Sequence, residues 1–99
     1  MEKLELPFEL VFYIDQEQSC KILPDISTPN LIELYKKEED WRVRRAMAPE
    51  LSKRSDISTP NLIELYKKEE DVDVRRAMAP ELSKRLAELV RERNFKVVF

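Results

Sequence analysis

The sequence predicts an all-α fold built by repetition, a short α-solenoid, and three observations carry that prediction. Residues 25–54 read DISTPNLIELYKKEEDWRVRRAMAPELSKR, and residues 56–85 repeat the string with two changes, Val72 for Trp41 and Asp73 for Arg42. The resulting period of 31 residues lies in the range that marks stacked helical units. Within each copy the apolar residues recur at spacings of one, three and four, which is the period of a helix. Each copy also opens on Ser-Thr-Pro, a helix-initiation signal.

Taken in order, the elements follow from these patterns. Residues 1–24 hold the most hydrophobic stretch, Pro7, Phe8, Leu10, Val11, Phe12 and Ile14, and are expected to cap the array or to form a degenerate repeat, with Pro7, Leu10 and Tyr13 matching Pro29, Ile32 and Tyr35. Repeat 1 spans residues 25–55 and repeat 2 residues 56–85. In each, the hydroxyl of Thr28 or Thr59 is the expected cap, and Pro29 or Pro60 suits the first helical turn, where its missing N–H is not needed. Leu31, Ile32, Leu34 and Tyr35 then define one side of a helix ending near Lys37 or Glu38, with Leu62, Ile63, Leu65 and Tyr66 as their counterparts. Asp40 and Asp71 are the expected caps of a second helix, whose apolar stripe is Val43, Ala46 and Met47, copied as Val74, Ala77 and Met78. A proline inside a helix loses a hydrogen bond and clashes with the turn before it, so a kink or restart is expected at Pro49 and Pro80. Residues 86–99 continue the second copy as a longer capping helix, with Leu82, Leu86, Leu89 and Val90 on one face, and close on an extended tail containing Phe95, Val97, Val98 and Phe99.

The segment TPNLIELYKKEEDVDVRRAMA, Thr59 to Ala79, and its twin from Thr28 to Ala48 resemble the HEAT-like and leucine-rich-repeat-variant families of α-solenoids. The Thr-Pro start, the Leu-rich first helix, the acidic turn and the Val-Arg-Arg-Ala opening of the second helix carry the resemblance. It implies a right-handed stack of helix pairs that presents a surface to another macromolecule. It also implies a ladder in which Arg44 and Arg75 bond the Asp40 and Asp71 turns of neighbouring units.

Composition narrows the function classes. The 99 residues hold 20 acids and 18 bases for a net charge of −2, and neither copy is strongly basic. Nucleic-acid binding, which draws on concentrated positive charge, is therefore the secondary expectation. The chain has no glycine and no histidine, so it lacks a P-loop, a dinucleotide fingerprint and a zinc constellation, and neither cofactor nor metal is expected. The lone Cys20 forms no internal bridge, which suits a reducing, cytoplasmic setting, and it reads as a small buried residue rather than a nucleophile. No apolar run approaches the length of a membrane span, and the acidic first ten residues do not read as a secretory leader.

The expected function is non-catalytic: a repeat module for protein–protein interaction, with a homo-oligomer as a further alternative. Trp41 stands at one of the two positions where the copies differ and is expected to pack against the N-terminal segment or to anchor a partner. Arg45 and Arg76 point about 100° further round the helix than Arg44 and Arg75 and so are available to an acidic partner. Lys36, Lys37, Lys67 and Lys68 form a possible second face. Tyr35 and Tyr66 are expected to bury their rings and keep their hydroxyls in water.

Overall fold

Helix signals at the head of each copy are realised in a computed structural model that describes residue 4 and residues 6–98. The chain forms α1 (Phe8–Ile14), α2 (Gln16–Ile22), a 3-10 turn (Leu23–Asp25), α3 (Thr28–Lys37), α4 (Trp41–Lys53), α5 (Thr59–Lys68) and α6 (Val72–Glu92). Among the described residues there is no strand, and the fold is all-α. Among the described residues no helix is long and apolar enough to cross a membrane.

The start signals act one residue earlier than the sequence suggests. Ser27 and Ser58 occupy the cap positions, and the Ser58 hydroxyl accepts from the Asn61 N–H at 3.4 Å. Thr28 is instead buried, and its hydroxyl accepts from Arg54 at 3.1 Å. The acidic turns behave as expected: the Asp40 carboxylate accepts from the Arg42 N–H, and the Asp71 carboxylate from the N–H groups of Asp73 and Val74.

Neither internal proline breaks its helix. α4 runs through Pro49 and α6 through Pro80, so the expected restart does not occur. Both prolines lie on the exposed side, where a carbonyl that loses its helical partner can turn to water. The long α6 ends at Arg93, which takes the left-handed conformation (φ 55°) usually given to glycine. The Asn94 and Arg93 N–H groups then close the last turn onto Leu89 and Val90.

One apolar cluster runs from Phe8 and Phe12 through Leu31, Val43, Met47 and Leu51 to Leu62, Val74, Met78 and Leu82. α4 and α6 make the most extensive helix–helix contact, with α3 laid on α4 and α5 on α6. Phe12, Val43 and Val74 are all buried at intervals of 31. The Arg54 guanidinium donates to the Leu23 carbonyl at 2.9 Å, as Arg85 donates to the Arg54 carbonyl at 2.7 Å. In this register α1 and α2 line up with α4, a second helix interrupted at Asp15, rather than with α3; Tyr13 corresponds to Arg44 and not to Tyr35.

Candidate partner-binding surface

The turns after α3 and α5 are joined by a buried acid that the sequence did not single out. Glu69, at the C-terminus of α5, is 5% exposed. Its carboxylate accepts from the Tyr35 hydroxyl at 2.5 Å, from Arg44 Nε at 2.8 Å and Nη2 at 3.1 Å, and from the Asp71 N–H at 3.0 Å. Arg44 also donates to the carbonyls of Glu38 and Glu39. Burial works to raise the Glu69 pKa, and the hydrogen bonds from Arg44 and Tyr35 outweigh it, so the group stays below the ordinary carboxylate value. Burial and the adjacent Glu69 push the Tyr35 phenol well up.

This arrangement corrects the expected ladder. Arg44 bonds Glu69 rather than Asp40 or Asp71, because both aspartates are committed to capping their own helices. Arg75 donates to the carbonyls of Glu69 and Lys67 and lies 5.5 Å from the centre of the Tyr66 ring, with no carboxylate partner among the described residues. The Tyr35 hydroxyl is likewise buried on Glu69 instead of wet. The rungs at an interval of 31 are made by Arg54 and Arg85, the last residue of each copy, on backbone carbonyls. A side chain-to-carbonyl bond leaves no complementary charge in the sequence to find.

Trp41 opens α4 and is 39% exposed. With Phe12, Tyr13, Gln16, Arg42 and Arg45 it lines a groove of about 480 Å³ between the N-terminal helices and α4. Tyr13 is held there from two sides: its hydroxyl donates to Asp40, and the Arg42 guanidinium lies 6.0 Å from its ring centre. Hydrogen bonds from Arg42 and then Tyr13 keep the Asp40 carboxyl far below its usual range, and the bond to Asp40 raises the Tyr13 phenol. In the second copy Asp73 replaces Arg42 and Val72 replaces Trp41, 57% exposed.

The other candidate residues divide. Arg45 and Arg76 are exposed and unpaired among the described residues, each one turn along its helix from Trp41 or Val72. Lys37 and Lys68 are paired with Glu33 and Glu64, while Lys36 and Lys67 are exposed without an ion pair among the described residues. Cys20 is exposed, not buried, because α2 turns that side outward and buries Ser19 instead. Among the described residues no three or more His, Cys, Asp or Glu side chains converge as metal ligands. The chain matches no protein-family model, no curated protein and no solved structure.

Proposed function

We propose that the chain is a non-catalytic repeat module, a short right-handed solenoid of HEAT-like helix pairs with a 31-residue period, that binds a protein partner through the heads of its second helices. The observation that carries this reading is the half-exposed Trp41 beside Tyr13 and Arg45 in an open groove, an aromatic and arginine pairing of the kind that dominates binding hot spots. Arg45 and Arg76 repeat one cationic position on two packed helices, about 10 Å apart. A partner segment with an apolar anchor and spaced acids fits that face. The single unbridged cysteine suits a reducing, cytoplasmic setting.

The test compares two baits, the natural chain and a Trp41→Ala/Arg45→Glu variant, in nuclease-treated and untreated lysate. A protein retained in stoichiometric amount by the natural chain after nuclease, and weakened at least about tenfold by the variant, supports the reading. Retention of nucleic acid alone, lost on nuclease treatment and with salt, overturns it.

A further inference from the structure

The junction between the two copies is a clasp, and the chain presents the receiving half of it a second time, open, on α6. Inside the molecule α6 lies along α4, the Glu69 carboxylate ahead of α6 accepts from Tyr35 and Arg44, and the Met78 sulfur lies 3.8 Å from the Tyr35 hydroxyl. Tyr35, Ala48 and Ser52 are all buried there. One repeat on, the same residues are Tyr66 and Ala79, both half-buried, and Ser83, which is exposed. Arg75, the counterpart of Arg44, has no carboxylate partner among the described residues and donates only to the carbonyls of Glu69 and Lys67. Leu86 (38% exposed) and Val90 (56%) extend this side along α6, which runs for 21 residues against 13 in α4.

What fits the open side is specified by what already fits the covered one. Glu69 stands three residues before the start of α6, and Val74 and Met78, five and nine residues after it, are buried. A helix with a carboxylate just ahead of its first turn and apolar residues at those two spacings meets Arg75, Tyr66, Ala79 and Ser83 as α6 meets their counterparts on repeat 1. A second copy of this chain does not supply that helix. Its other match, Glu38 with Val43 and Met47, is covered by α1, whose Tyr13 takes the position of Arg44 and bonds Asp40. Lys37, Trp41 and Arg42 also line the groove beside Glu38.

We propose that the open side of α6 is a docking surface for a helix of a different protein, laid along α6 in the direction in which α6 follows α4, with an acid ahead of its first turn bonded to Arg75 and Tyr66. Charge and shape agree on this occupant. The arginine lacks an acid, the small Ala79 and Ser83 admit a close helix, and Leu86 and Val90 supply the apolar strip of a helix-binding groove. This inference rests on the junction geometry and does not depend on the Trp41 groove.

The probe that stands in for the partner helix is a fluorescent peptide of residues 67–92, the protein's own acidic turn and helix, titrated onto the intact chain and followed by anisotropy. The natural chain and its Trp41→Ala/Arg45→Glu variant are expected to bind it equally. Arg75→Glu and Ser83→Arg, each checked for helical content by circular dichroism, should weaken binding at least about tenfold. Ser83 is exposed, so its variant tests the surface even if Arg75→Glu fails to fold. A Glu69→Arg peptide should bind the natural chain weakly and recover affinity for the Arg75→Glu chain, because acid and arginine have changed places. Absence of saturable binding to the natural chain overturns the proposal, as does binding that Ser83→Arg leaves unchanged or that Trp41→Ala/Arg45→Glu abolishes.

Discussion

Glu69 and Glu38 occupy the same place in two copies of one string, and their surroundings give them different weight. Removing the Glu69 carboxylate strands Arg44, whose side chain is 18% exposed, and the buried Tyr35 hydroxyl. Loss of one partner from a buried pair costs about 3–5 kcal/mol, and the residual access of Arg44 to water brings the expectation for Glu69→Ala to about 2–4 kcal/mol. Glu38→Ala forfeits one hydrogen bond to the Asp40 N–H and should cost about 1 kcal/mol or less. Urea unfolding of the two variants measures the difference directly. The pH dependence follows from the same clasp. The folded-state pKa of Glu69 lies below its ordinary value, so its contribution is complete above the usual carboxylate range and is lost as pH falls through the lowered value. Glu69→Gln should therefore flatten the acid limb of the stability profile while lowering stability at neutral pH. Near-identical copies hide this distinction from the sequence. Glu69 becomes the buried acid because the first copy supplies Arg44 25 positions earlier, whereas 25 positions before Glu38 stands Tyr13.

At the level of the helices, the signals read correctly were those satisfied within a few residues. α3 and α5 end at Lys37 and Lys68, and the caps fall on Asp40 and Asp71, because Asp hydrogen-bonds N–H groups two or three positions ahead whatever the rest of the chain does. At the prolines packing overrides local propensity: Val43, Met47, Ala48 and Leu51 are buried on both sides of Pro49 and hold one helical axis through it. If the helix is continuous at a cost, the cost can be recovered. Pro49 is exposed, so Ala there restores a backbone donor without touching the core. An interior proline costs about 3 kcal/mol in a helix, and its stiffening of the unfolded chain returns about 1 kcal/mol, so Pro49→Ala should stabilise by about 1–2 kcal/mol. A lower melting temperature in the variant, measured by circular dichroism at 222 nm, would contradict this account. The first two helices illustrate the opposite limit. Their match to α4 is carried by burial of Phe12, which shares with the aligned Val43 only its apolar character, and by the Leu23 carbonyl, where the aligned Arg54 has an unrelated side chain.

For the molecule as a whole, the question is whether two copies and an N-terminal half-unit unfold together or in pieces. The structure measures 54 × 25 × 20 Å with a radius of gyration of 14.9 Å, longer than the roughly 13 Å of a compact domain of this size. In an elongated array each unit touches only its neighbours, and cooperativity depends on the interfaces between units rather than on a central core. Here the coupling is strong: α4 and α6 share the largest contact, Glu69 ties the two turns, Arg54 and Arg85 cross the boundaries between units, and the buried cluster is continuous from Phe8 to Leu82. One transition is therefore expected, and the lone Trp41 in the first copy offers a local probe to set against the global helical signal. Leu62 in α5 is fully buried, and truncating it to Ala should cost about 2–5 kcal/mol. Because the damage is in the second copy and the fluorophore in the first, the outcome reports the coupling between them. Coincident denaturation midpoints by Trp41 fluorescence and circular dichroism, both lowered by Leu62→Ala, are the expected result. A fluorescence midpoint that stays in place while the circular dichroism splits into two steps would mean that the α4–α6 contact is too weak to bind the copies into one folding unit.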